Sequence, residues 1–197
     1  DFNRKYTYQG NNNTSSATQV FESDANLYGV STTPVNELGY IGFESYLLNQ
    51  DGNGTYYSIV PFLGGVRQLK SVEETGNVSE YVLSLGGNYK EKLMLGATLS
   101  LPSYRFDRTS YYTESLAPGN NDPNPVGFNY FTYSQALNLT GSGVNAKVGA
   151  IYKISEMFRI GAAFHSPTYY SVTDIYSPAM NSSVTTSGYN NVTLSVD

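Results

Sequence analysis

The sequence predicts an all-β fold, an antiparallel transmembrane β-barrel or part of one, with a helical insertion in an extracellular loop. Three observations predict it. Two hairpins, 82–101 and 145–164, alternate apolar with polar or small residues on both arms, the period of a strand whose two faces meet different surroundings. Aromatic residues bound the apolar face: Tyr89, Tyr152 and Phe158 beside the tight turns, and Tyr81 eight residues before Tyr89. At about 3.3 Å per residue and a tilt near 40°, that spacing covers roughly 20 Å of height, close to the apolar band between the aromatic girdles of an outer-membrane barrel. Connections, finally, come in two lengths, short at one end of the strands and long at the other, the layout of periplasmic turns and extracellular loops.

Taken in order, Phe2, Arg4, Tyr6 and Tyr8 alternate as the upper end of a first strand. A long extracellular insertion follows over 10–61. Within it 15–28 and 34–48 carry helix-compatible spacing, with Val20, Phe21, Leu27 and Tyr28 recurring at i, i+1, i+7 and i+8. Pro34 suits the first position of the second helix, after caps at Thr32 and Thr33. A strand then runs over 65–89, with Gly76 and Asn77 open to either a kink or a short turn. In it Tyr81, Leu83, Leu85 and Tyr89 face one way, and Glu80, Val82, Ser84 and Asn88 the other. After a Lys90-Glu91-Lys92 turn, 93–115 returns with Leu93, Leu95, Ala97, Leu99 and Leu101 on the apolar side.

Residues 116–128, rich in Pro, Gly and Asn, read as a second extracellular loop. Residues 130–154 descend again, 158–177 rise, and 178–197 read as a third loop. One irregularity lies within the descending strand: Tyr133, Leu137 and Leu139 are odd-numbered, whereas Val144, Ala146 and Val148 are even. A strand changes faces only with an extra residue, so Gly141-Ser142-Gly143 is expected to form a bulge. The whole chain, 1–197, counts as one partial barrel domain.

Composition bounds the function. The 197 residues include 19 Tyr and 19 Gly, only 14% charged residues and no Cys, which fits β-rich extracytoplasmic chains without a disulfide framework. No run of 18 apolar residues exists, so a transmembrane helix is excluded. A net charge of −5 without clustered Lys or Arg argues against nucleic acid. No catalytic constellation, metal set or cofactor motif is legible, and the chain reads as a non-enzyme. His165 has no Cys partner. Asp51-Gly52-Asn53-Gly54 lacks the distal Glu of a calcium loop and reads as an ordinary turn. The Asn-x-Ser/Thr sites at Asn77, Asn138 and Asn191 follow from composition.

The run 139–153, Leu-Thr-Gly-Ser-Gly-Val-Asn-Ala-Lys-Val-Gly-Ala-Ile-Tyr-Lys, with 159–168, Arg-Ile-Gly-Ala-Ala-Phe-His-Ser-Pro-Thr, resembles the central hairpin of the FadL/TodX-type outer-membrane transporters. Asn88-Tyr89 through 93–98 is similar to an earlier hairpin of that family, in a Bacteroidetes-like version. The resemblance implies a fourteen-stranded barrel in the bacterial outer membrane that passes long-chain fatty acids or aromatic compounds, with a loop-helix pair forming a low-affinity hydrophobic site. It covers most of 2–177. The hatch of the family and the C-terminal strands are missing, which implies the middle of a larger polypeptide with two open sheet edges.

Two sets of candidate residues follow. In the insertion, Phe21, Leu27, Tyr28, Ile41 and Leu48 would capture a hydrophobic ligand, driven by removal of apolar area from water at about 25 cal/mol per Å². On the strands, Asn145, Lys147, Arg159 and His165 would face the lumen, with Glu80 beside them. There they either meet a ligand carboxylate or pair with lumenal acids and a plug. The leading expectation is passive transport of hydrophobic small molecules or lipid. A different class of function is a structural or docking subunit of a secretion or attachment machine, recognised by a stoichiometric protein partner. A third is a soluble β-sandwich adhesin, which would need no detergent.

Overall fold

The computed structural model describes residues 1–30, 37–123, 127–185 and the backbone of 192–195. It is mostly β, with long antiparallel strands and two short helices. The elements are β1 (Phe2–Asn12), α1 (Thr18–Tyr28), α2 (Glu37–Glu44), β2 (Leu48–Gln50), β3 (Tyr56–Ser58), β4 (Val66–Tyr89), β5 (Leu93–Leu116), β6 (Phe128–Lys153), β7 (Arg159–His165), β8 (Tyr169–Val184) and β9 (Val192–Ser195). The main sheet runs β1-β4-β5-β6-β8-β9, and β7 pairs with β6 below β8; β2 and β3 form a small hairpin of their own. Two compact units share the long strands: one comprises 1–3, 75–107 and 138–175, the other 4–74, 108–137 and 176–197.

The second unit holds the core. Phe21 and Ala25 of α1 and Ile41 of α2 pack with Leu47, Leu48, Val60, Val66, Phe128, Phe131, Met180 and Val184. The helices cross closely because Gly39 has no side chain: a β-carbon there would stand 2.8 Å from the Ala25 backbone. Helix α1 has Ala17 at its N-cap, which offers no capping side chain. Its donors are met from a strand instead. The carboxylate of Glu114 on β5, fully buried, accepts from the Ser16 hydroxyl, from the Ala17 N–H at 3.2 Å, from Gln68 Nε2 at 3.1 Å and from the Tyr112 hydroxyl at 2.7 Å. A negative group at a helix N-terminus is favoured by the helix dipole as well as by the hydrogen bonds. Helix α2 ends with Tyr46 in the left-handed region (φ 58°), and Leu47 N–H closes on Gly42 O at 2.9 Å.

Several sequence expectations take a different form here. The helices are shorter than the 15–28 and 34–48 stretches, and Thr32, Thr33 and Pro34 lie outside the described residues, as does Asn191. The β2–β3 hairpin inside the insertion is new; its turn is tied by Asp51 Oδ1, which accepts from the Asn53 and Thr55 N–H groups. Strand β4 passes unbroken through Gly76 and Asn77. Gly76 makes room for the ring of Phe2, which a β-carbon would approach to 2.8 Å. Residues 178–184 are not loop but the upper part of β8, paired to β9 by Ala179↔Ser195 through Ser182↔Val192. Their Ser and Asn content hid a strand whose Met180 and Val184 reach the core.

The expected bulge at Gly141-Ser142-Gly143 is absent, and β6 runs continuously. From Phe131 onward the odd-numbered residues keep the same side, whereas above it the even residue Phe128 joins Phe131 in the core, ring centroids 6.4 Å apart. Phe131 and Tyr133 lie under α1, with ring centroids 5.9 and 6.2 Å from that of Phe21, so the odd side is apolar there. In the other unit, the even residues Val144, Val148 and Tyr152 are the exposed apolar ones. The real change of face lies at Ser166-Pro167-Thr168, between β7 and β8. His165 pairs with Lys147, so odd residues of β7 share the side of odd β6, whereas Thr168 bonds Asn145 at 3.1 Å and puts even residues there. Pro167 cannot donate to the ladder, which is where an extra residue is tolerated.

Candidate functional site

The first unit is a wall made by the lower arms of β4, β5 and β6 together with β7 and the start of β8. Its register is fixed by cross-strand contacts. The Ser84 and Thr98 hydroxyls bond at 2.9 Å, Lys153 N–H donates to Lys92 O at 2.8 Å, and the β6–β7 ladder runs from Lys147↔His165 to Lys153↔Arg159. Directly paired residues share a face. The pairing therefore sorts the wall into two.

One face carries Tyr81, Leu83, Leu85, Tyr89, Leu95, Leu99, Leu101, Val144, Val148, Tyr152, Ile160 and Phe164. All are exposed, from 42% at Val144 to 77% at Tyr81. This is on the order of 1,000 Å² of apolar surface, against the roughly 300–600 Å² of the largest patch on a typical soluble monomer. Its lower edge is a row of aromatics at Tyr89, Tyr152 and Phe158. At its upper edge Tyr81 is joined by Tyr169, 69% exposed, which the sequence did not single out because the face switch at Pro167 hides its parity. A shallow depression of about 620 Å³ lies just above the lower row. Gly87, Ala97, Ala150 and Ala162 make it shallow-walled, between Leu85, Leu95, Val148 and Phe164.

The other face is mixed: polar and small residues predominate, with Val82 and Ile151 exposed among them at 55% and 45%. It brings together Asn145, Lys147 and His165: Lys147 and His165 are directly opposite each other, and Asn145 donates to Thr168. Arg159 sits at the far end of β7, opposite Lys153, whose ammonium is bound by Glu156 at 2.7 Å. Glu80, on β4, shares this face. The ion pairs among the described residues are Lys5–Glu73, Arg105–Asp107, Arg108–Glu74 and Lys153–Glu156, so Glu80, Lys147, Arg159 and His165 stand outside every one of them. Ser100, fully buried, has an unbonded hydroxyl, and Asn145 Oδ1 next to it is also unbonded. Between the Lys147–His165 and Lys153–Arg159 pairs lies an apolar trough of about 520 Å³, floored by Gly96, Gly149, Gly161 and Ala163 and walled by Met94 and Ile151.

The five insertion residues do not form one surface. Phe21, Ile41 and Leu48 are core, at 4%, 0% and 4% exposure, while Leu27 and Tyr28 point outward at 69% and 53%. The helical spacing that singles them out marks a buried stripe as well as a binding one.

A polar cluster of the second unit escaped sequence reasoning. Tyr133 donates to Glu37 Oε1 at 2.7 Å, the Tyr133 and Tyr176 hydroxyls lie 3.2 Å apart, and Gln135 Nε2 donates to Tyr176 at 2.7 Å. Its members come from α2, β6 and β8, so no spacing in the sequence announces it. Among the described residues no cluster of His, Cys, Asp or Glu could hold a metal ion, and no helix is long and apolar enough to cross a membrane. No protein-family model matches this chain, and no curated protein matches it.

Proposed function

We propose that this chain is part of the wall of a bacterial outer-membrane β-barrel of the FadL/TodX type that passes hydrophobic small molecules. One observation carries the reading: twelve large apolar side chains, exposed and bounded above and below by aromatics, cover one face of a wall whose other face is mostly small and polar, with Lys147, Arg159 and His165 on it. A sheet in water hides its apolar face; a sheet in lipid shows it. The roughly 20 Å that eight residues of tilted strand span between the rows is close to the apolar band of an outer-membrane strand.

The polar face supplies the route. The glycine-floored trough would hold an alkyl chain or aromatic ring, and Lys147 and His165 beside it would meet a carboxylate. The insertion contributes Leu27 and Tyr28 as the exposed residues of its capture set. No energy source is needed, because transfer of apolar area out of water drives capture.

The test is intact-mass measurement of the protein purified from membranes, followed by organic extraction. A detergent-requiring protein that releases a fatty acid or another hydrophobe supports the reading. A protein that stays in solution without detergent and carries nothing overturns it.

A further inference from the structure

We propose that the depression on the apolar face is a binding site for an anionic phospholipid, with an acyl chain in the depression and the phosphate at Lys90. The inference rests on the membrane reading above and adds a lipid partner to it. The site lies on the face opposite the transport route.

Three features converge. The depression is about 620 Å³ and is lined on this face by Leu85, Leu95, Val148 and Phe164 around small residues, a shape that accepts a flexible chain. It begins immediately above the row formed by Tyr89 and Tyr152, the level at which a lipid's acyl chains start. A cation stands at that level on the same side: Lys90 Nζ lies 5.2 Å from the centroid of the Tyr89 ring, and Tyr89 belongs to the apolar face. The turn fixes the backbone from which it projects: Lys90 and Glu91 both adopt positive φ, 52° and 56°, and Lys92 N–H closes on Tyr89 O at 3.1 Å, a tight two-residue turn. Glu91 is the acid of that turn, and Lys92 offsets its charge.

Charge complementarity selects the occupant. A neutral chain would fill the depression and leave Lys90 idle, whereas a phosphate within reach of the ammonium gains about fivefold in affinity from one such cation at an anionic lipid surface. A second copy of the chain, packed through the same face, would bring Lys90 against apolar side chains.

The experiment is native mass spectrometry of the detergent-solubilised protein titrated with dioleoylphosphatidylglycerol and, separately, dioleoylphosphatidylcholine. The variants are Lys90→Glu, at an exposed position, and Ala150→Phe, at a half-buried one whose side lines the depression. Retention of one phosphatidylglycerol, weakened at least about fivefold by Lys90→Glu and by the filled depression, with phosphatidylcholine held more weakly, supports the site. Equal retention of both lipids by all three proteins overturns it while leaving the membrane reading intact. A dimer that Ala150→Phe dissociates overturns it in favour of self-association. A protein that needs no detergent and binds neither lipid overturns the membrane reading and the site together.

Discussion

The ring of Tyr104 on β5 lies directly across Gly141 on β6, in the space a side chain at 141 would fill. Tyr170 does the same over Gly143, where a β-carbon would stand 2.8 Å from its ring, and the two rings meet edge to face at 5.7 Å. The glycine pair is a seat for two aromatics. Gly141→Ala should therefore cost about 1–3 kcal/mol through overpacking, and Tyr104→Ala should remove most of that cost in the double variant. Denaturant titration of the four proteins measures it; additive losses would mean that ring and glycine are not coupled.

Ile41 and Leu27 separate core from surface. Ile41→Asp buries a charge in the second unit and should cost more than about 3 kcal/mol. Leu27→Asp, on an exposed position, should change stability by less than about 0.5 kcal/mol and lower ligand capture only. Thermal unfolding with a fluorescent acyl-probe assay distinguishes them. Loss of binding by Ile41→Asp alone would report unfolding.

Glu91 takes a φ of 56°, where a side chain is strained. Glu91→Gly should stabilise the hairpin by about 0.5–1 kcal/mol, because glycine enters that region without the Cβ clash. Urea midpoints of the two proteins decide; a lower midpoint for the variant would show that the Glu91 side chain contributes more than the strain removes.

Tyr112 and Tyr133, on strand ends beyond the proposed membrane band, have phenol pKa values raised well above the ordinary one. Burial is the main cause for both. For Tyr112 the bond to Glu114 and its charge follow, and for Tyr133 the bonds to Tyr176 and Glu37. Each keeps its proton in the folded chain, while the unfolded chain releases its own near pH 10. Their contribution is thus complete below about pH 10 and declines as pH rises past it. The melting temperature should fall steeply above that pH, and less steeply in Tyr112→Phe/Tyr133→Phe. Identical slopes would assign the alkaline loss to other groups.

The period-two alternation made β4, β5, β6 and β7 and their two faces legible, because a half-covered strand writes its environment into every second residue. It did not say which side is covered. Odd residues 131 and 133 and even residues 144–152 are apolar for different reasons, contact with α1 in one unit and an exposed apolar face in the other, and the sequence alone made that look like a bulge at Gly141. The true switch, at Pro167, falls in three unremarkable residues. The polar set Asn145, Lys147, Arg159 and His165 was legible from parity and shares one face, but the insertion residues were not: an apolar stripe on a helix looks the same whether it meets ligand or core. Glu114 was invisible, since its donors Ser16 and Gln68 lie far away in the chain.

The proposed transport role requires that one face of the wall meet lipid. Nitroxide labels placed one at a time along 95–100 and 145–150, in protein reconstituted into lipid vesicles, report collisions with oxygen, concentrated in the bilayer, and with a water-soluble nickel chelate. Oxygen maxima are expected at Ala97, Leu99, Ala146 and Val148 and chelate maxima at Thr98 and Lys147, alternating with period two along both strands. Chelate access of equal strength at all positions would contradict that role and place both faces of the wall in water.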